Sequence, residues 1–357
     1  MSESNRPIDI NAALPGPNRR QFLQTTAAAG LTFANAGAGA AESPQVSNVG
    51  PDRVPRKALG KTGVEVSAMG LGGYSLADSP TLEEATQIVH EAVEAGINFF
   101  DNAWEYHDGR SEEWMGQALK GLRDKVFLMT KVCTHGRDKN VAMQQLEQSL
   151  KRLNTDHLDL WQIHECVYWN DPEWHFRKGG VVEALDQAKK QGKVRFVGFT
   201  GHKHPDIHLA MLSHDYPFDT VQMPLNCFDA SYRSFEKNVL PEVIRRGMGA
   251  LGMKSLCGGG SGIINSPISV QDALRYAMSL PVSTTISGVD SLTVLRQNLA
   301  VARGFKPLDA SQMQALRDKC AQAAGDGHLE LYKSTKKFDG KPGREQHGFP
   351  LAEALPV

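Results

Sequence analysis

From Val64 onward the chain alternates two textures. Short apolar runs rich in β-branched residues give way to longer stretches in which apolar side chains recur every three or four positions. A short, largely apolar run suits a strand buried on both faces, and the three-to-four spacing suits a helix with one buried face. Their alternation is the pattern of repeated βα units around a parallel sheet. Eight runs qualify as strands: Val66–Leu71, Asn98–Asn102, Val126–Lys131, Leu158–His164, Arg195–Phe199, Thr220–Met223, Gly249–Met253 and Ser283–Ser287. Helical spacing occupies intervals such as Leu82–Glu94, Val141–Arg152, Val182–Lys190, Glu236–Arg245 and Val270–Met278. Eight strands with helices between them predict an α/β fold, a single (β/α)8 TIM barrel. A doubly wound six-stranded sheet would need GxGxxG between its first strand and first helix. Gly70-Leu71-Gly72-Gly73-Tyr74 lacks the final glycine and is not followed by an evident helix.

The ends of the chain break this texture. Arg19-Arg20-Gln21-Phe22-Leu23 is followed by a mildly apolar Ala/Gly/Thr-rich run and then Ala38-Gly39-Ala40, with no Lys or Arg between Arg20 and Arg53. Paired arginines, a short apolar region and a small-residue cleavage site, in that order, predict a twin-arginine signal peptide. The expected organisation is therefore a signal peptide over 1–41, a Pro- and Ser-containing linker over 42–56, the barrel over 57–325, and a C-terminal tail over 326–357. One helix after Asp309 precedes that tail. Export by the twin-arginine machinery would place the protein in a periplasm, or in the cytoplasm if the signal does not function. The apolar run is too short for a stable membrane anchor.

Composition adds exclusions. With 41% hydrophobic and 22% charged residues among 357, the chain is ordinary globular protein. A net charge of -1 leaves no basic stripe for nucleic acid. The five cysteines, Cys133, Cys166, Cys227, Cys257 and Cys320, are scattered without CxxC spacing and read as packing thiols. His202, His204, His208 and His214 lack a recognised ligand spacing, so no metal is expected.

Barrel active sites form at the C-terminal ends of strands. Asp101 ends the second predicted strand, Tyr106 lies in the loop after it, Lys131 ends the third strand and His164 the fourth. An acid, a phenol, an ammonium and an imidazole would thus meet at one mouth. A neighbouring ammonium favours the phenolate and an imidazole can position a proton, so Tyr106 is a candidate general acid, with Lys131 oriented by Asp101 and His164 holding a carbonyl oxygen. A carbonyl so polarised accepts hydride, which no side chain supplies, and a nicotinamide cofactor is implied.

These motifs resemble the aldo-keto reductase family. The resemblance rests on Leu59-Gly60-Lys61-Thr62-Gly63, Gly70-Leu71-Gly72, Phe100-Asp101-Asn102-Ala103 with Tyr106, Thr130-Lys131 and Gln162-Ile163-His164, and it runs from about Leu59 to Ala302. It implies reversible NAD(P)H-dependent reduction of an aldehyde or ketone by the tetrad Asp101, Tyr106, Lys131 and His164, with NADP favoured and NAD as the alternative. It also implies that Gln222 and Thr200 hold the nicotinamide carboxamide, with His202 beside Gly201 where many members carry Asn. Met253 stands in place of a stacking aromatic, followed by Lys254 and Leu256. Ser287, Gly288, Gln297 and Asn298 serve the adenine end, where Gly288 and Val294 occupy positions that are basic in NADP-selective members and Arg296 is the nearby cation. The glycines from Gly258 to Gly262 would let backbone approach a pyrophosphate. Tyr74, Trp104, Trp169 and Trp174 are candidate walls for a small carbonyl substrate. Two other readings of the same barrel are a nucleotide-binding redox-sensing regulatory subunit with little turnover, and a metal-dependent hydrolase.

Overall fold

The computed structural model describes residue 50 and residues 52–346, apart from 134–137, 259, 260, 265 and 337. The described residues belong to a compact unit that begins at Ala41. The signal-peptide reading, most of the linker, part of the glycine loop and the last residues of the tail fall outside them.

Strands β1 (Arg56–Ala58) and β2 (Glu65–Ser67) pair antiparallel. Eight further strands follow: β3 (Met69–Gly72), β4 (Phe99–Asp101), β5 (Phe127–Val132), β6 (Leu158–Ile163), β7 (Val194–Thr200), β8 (Thr220–Pro224), β9 (Gly249–Met253) and β10 (Thr284–Gly288). They close into a parallel barrel in the order β10-β3-β4-β5-β6-β7-β8-β9. The predicted strand Val66–Leu71 is thus two strands. Ser67 donates through Oγ to the Met69 carbonyl at 2.7 Å and receives Asn98 N–H at 3.0 Å, while its own N–H bonds Asn98 Oδ1 at 2.6 Å. Side chains satisfy the backbone at this point, which lets the chain leave the hairpin and enter the barrel.

The hairpin plugs the end of the barrel away from the strands' C-termini. Leu59 and Val66 pack with Phe99, Phe127, Met129, Leu160, Leu251 and Ile286 inside the barrel. Gly60 in the turn has φ 51°, and a Cβ there would run into the backbone of Gly247–Gly249, so the turn needs glycine on both counts. A larger apolar cluster fills the space between strands and helices, including Ile88 and Val89 of helix Leu82–Glu94 and Leu146 of helix Lys139–Arg152. The predicted helix Glu236–Arg245 is two, Phe235–Asn238 and Leu240–Arg245, with Pro241 in the first turn of the second, where its missing N–H costs nothing. A four-residue helix, Gly73–Leu76, follows β3 directly, where none was expected.

After helix Ala310–Ala324, opened by an Asp309–Gln312 capping box, the tail forms two short helices, Leu331–Ser334 and Lys341–Gln346. It crosses the C-terminal ends of the strands. Asn226 Nδ2, after β8, reaches Tyr332 Oη at 3.0 Å, Lys203 after β7 pairs with Asp339 at 2.5 Å, and Gly340 N–H donates to Glu165 after β6 at 2.8 Å.

Candidate active site

The four tetrad residues come together at this mouth. Lys131 is wholly buried in β5, and its ammonium donates to Asp101 Oδ1 and, at 2.8 Å, to the Asn102 carbonyl. Its third contact is Tyr106 Oη at 3.4 Å. Tyr106 opens a 3-10 turn, Tyr106–Gly109, and its ring meets the His164 ring edge-on at 5.6 Å between centroids. His107 and Asp108, next in that turn, have φ of 50° and 55°. Such left-handed residues cost about 1–2 kcal/mol each, and tertiary contacts hold them. The loop is tied down at Trp104, whose carbonyl accepts from Arg152 at 2.8 Å and whose N–H donates to the Lys131 carbonyl at 3.2 Å. Arg152 in turn pairs with buried Glu112, which accepts Thr130 Oγ at 2.6 Å.

Two carboxylates missed in the sequence flank His164. Glu105, just before Tyr106, contacts His164 Nδ1 through Oε1. Burial alone would push its pKa up, but the imidazole and then Lys131 more than offset this and hold Glu105 below the ordinary carboxylate range. Glu165, just after His164, is buried at φ 54° and is pushed up to about 7 by burial, with His164 opposing and Glu105 and Asp339 adding to the rise. Tyr106 also departs from expectation. Burial first, then Asp101, Glu105 and Glu165, hold its phenol well above the ordinary value, so the ammonium beside it does not favour phenolate. The correction suits a proton donor, because the proton stays on the phenol until charge develops on a bound oxygen.

The residues expected to hold a nucleotide fall unevenly. Gln222 in β8 donates through Nε2 to Asp101 Oδ2 at 3.1 Å, and its Oε1 is buried with no hydrogen-bond partner among the described residues. Thr200 ends β7 beside Met253, its hydroxyl 3.9 Å from the sulfur. Gly201 has a steric cause: a Cβ there would collide with the Cys166 carbonyl and the His208 ring, so this backbone excludes Asn. His202 is buried with Nε2 3.8 Å from Asp339, and burial pushes it down to about 3, leaving it neutral. Lys254 follows Met253 at φ 55°, its ammonium over the Tyr332 and Phe338 rings at 5.2 and 5.8 Å, lowered by burial to about 8. Leu256 is partly buried against the core. Ser287 accepts from buried Asn298 at 3.1 Å, Gln297 is exposed, and Gly288 backs onto Ser75. Arg296 forks onto Glu91 at 2.9 and 3.0 Å and is occupied there. Gly258 of the glycine loop lies against the Tyr332 ring.

Of the expected walls, Tyr74 stays half exposed and meets Tyr106 edge-on at 5.2 Å. Trp104 turns toward Gln148 and Arg152, Trp169 packs near His204, and Trp174 lies under Arg177. The histidines are dispersed: His208 is buried with Nε2 3.3 Å from the Gln222 carbonyl, and His214 stacks on Phe176. All five cysteines are buried. No helix among the described residues is long and apolar enough to cross a membrane.

A closed parallel barrel carries this constellation at its mouth, and the aldo/keto reductase family model matches residues 68–261, more than half of the chain. The chain belongs to that family. Among relatives it is 31% identical over 217 residues to aldo-keto reductase YhdN of Bacillus subtilis (strain 168), a match covering 56% of this chain and 62% of that protein. It is 29% identical over 282 residues to 6-dehydroglucose reductase of Novosphingobium aromaticivorans, covering 74% and 88%. An aldo/keto reductase from Klebsiella pneumoniae, solved with NADP and acetate, superposes with a TM-score of 0.61 at 23% identity over 72% of this chain and 93% of that one. That likeness is one of fold.

Proposed function

We propose that the protein is an NADPH-dependent reductase that converts a small aldehyde or ketone to its alcohol, reversibly, at the barrel mouth. The observation that carries this reading is the buried chain of contacts from Asp101 through Lys131 to Tyr106 Oη, with His164 against the Tyr106 ring. The nicotinamide nucleotide supplies the hydride. Gln222, whose buried Oε1 lacks a partner among the described residues, suits the carboxamide N–H of that group, with Thr200 beside it and Asn298 and Ser287 toward the adenine end. Tyr106 gives its proton to the carbonyl oxygen, Lys131 and Asp101 fix the phenol in place, and His164 directs the oxygen.

The substrate class that fits is a neutral, hydroxyl-bearing carbonyl compound. Tyr74 offers an exposed ring beside Tyr106, and the buried carboxyl groups of Glu105 and Glu165 around His164 disfavour an anionic substrate. The sugar carbonyl named for the Novosphingobium relative is of this kind. The paired Arg19 and Arg20 ahead of an apolar run support export by the twin-arginine route, which carries folded proteins and would let the enzyme bind its nucleotide before leaving the cytoplasm. Purified protein should oxidise NADPH with hydroxylated aldehydes and ketones and far more slowly with carboxylate-bearing ones, followed by nicotinamide absorbance. Tight nucleotide binding with no turnover on any carbonyl would overturn the proposal.

A further inference from the structure

Glu105 and His164 form a contact that the reduction chemistry above does not use. Glu105 comes from the loop after β4, one residue before Tyr106, and His164 from the end of β6, so two walls of the barrel meet in this pair. Both side chains are largely withdrawn from water, at 13% and 10% exposure. With Nδ1 engaged, Nε2 is the ring nitrogen left for a ligand. A neutral ring that keeps its only proton on Nδ1 can only accept at Nε2, whereas an imidazolium donates from both nitrogens.

We propose that Glu105 is a positioning residue for the reduction: its carboxylate accepts the Nδ1–H of His164, fixes the ring, and supports the imidazolium whose Nε2–H is a second donor to the carbonyl oxygen beside Tyr106. This rests on the reading of the mouth as a carbonyl-reducing site. The arrangement meets a need created by Tyr106 itself. Burial and three carboxylates make that phenol reluctant to release its proton, and a cationic donor at the same oxygen stabilises the developing alkoxide and eases the transfer. Glu105 is anionic in this setting, which the role requires. No proton passes to Glu105: hydride bonds to carbon, the Tyr106 proton goes to oxygen, and the carboxylate stays charged throughout.

The groups facing the pair are Tyr106 on the same loop, Lys131 from β5, and Glu165 next along the chain, with Lys254 and Asp339 beyond Glu165. Glu165 is pushed up to about 7 by burial, so its effect on a pH profile is separated from that of Glu105 by its own variant.

The test compares Glu105→Gln, Glu105→Ala, Glu165→Gln and Tyr106→Phe with the full-length enzyme. It measures kcat and KM across pH, NADPH binding by fluorescence, and the nitrogen-15 shifts of His164. Glu105→Gln keeps the shape and an acceptor but removes the charge. Its kcat should fall about 100-fold, within the range of lost acid–base assistance, with NADPH binding intact. The alkaline limb of its kcat/KM profile should move to lower pH, and its His164 nitrogen-15 shifts should depart from the parent's at Nδ1. Glu105→Ala should lose more, and Glu165→Gln should leave the limb in place. Parent-like kcat, profile and shifts in Glu105→Gln would overturn the proposal, as would an effect confined to KM, which would make Glu105 a substrate-binding residue. Full activity in Tyr106→Phe would instead overturn the reading of the site on which the proposal rests.

Discussion

Tyr106 sits among Asp101, Glu105 and Glu165, and that neighbourhood decides which state of the phenol is available. One ammonium at 3.4 Å does not outweigh three acids and burial, so the group enters each cycle protonated, as reduction requires. Glu165 shows the same low-dielectric setting from the other side. Folded, it keeps its proton up to about pH 7, whereas an unfolded chain releases it near the ordinary carboxylate value of about 4.3. Its contribution to stability is therefore fully present below the unfolded value and is lost as pH rises to about 7. Glu165→Gln removes that dependence. The variant should match the parent near pH 4 and exceed it at pH 8 by on the order of 3 kcal/mol, seen as a pH-dependent difference in Tm. An equal difference at both pH values would contradict the burial of this carboxyl.

At the scale of elements, the loop after β6 presses against the end of β7, where Cys166 N–H bonds the Thr200 carbonyl at 2.8 Å. Gly201 exists to leave room for that contact. Gly201→Asn should overpack the junction and lower stability by about 1–3 kcal/mol, measured by thermal denaturation; an unchanged Tm would contradict it. The strands were legible in the sequence because parallel strands buried on both faces leave largely apolar runs. The break inside Val66–Leu71 was not, since it depends on hydrogen bonds between Ser67 and Asn98, which lie on different units. The tetrad was legible because strand ends are where barrel chemistry collects. Glu105 was hidden for the opposite reason: an acid in a loop ahead of a helix looks like ordinary first-turn chemistry, and only closure of the barrel sets it on His164.

At the scale of the molecule, the tail completes the mouth. Lys333 is buried between Asp229 at 2.6 Å and Glu330 at 2.9 Å, while Asn226 reaches both Glu330 and Tyr332. Breaking such a buried pair by removing one partner costs about 3–5 kcal/mol, so Lys333 ties the tail to the segment after β8. The tail brings Asp339 and Gly340 within reach of Lys203 and Glu165, where Asp339 and Glu165 are buried and their charge interactions are strengthened. The tail's composition of glycine, proline and charge gave its existence but not its place. The proposed export after folding suits a mouth that residues 339 and 340 of the tail help to complete. Replacing both Arg19 and Arg20 with Lys should retain the protein in the cytoplasm, checked by fractionation, and normal periplasmic recovery of the double variant would contradict the signal.

The most direct test of the account is a comparison of NADPH oxidation and NADPH binding in the parent and in Tyr106→Phe with the same carbonyl substrate. The phenol should be indispensable to turnover and nearly irrelevant to the nucleotide, so kcat should fall at least about 100-fold while fluorescence quenching by NADPH is retained. Undiminished turnover in Tyr106→Phe would contradict the assignment of Tyr106 as the proton donor.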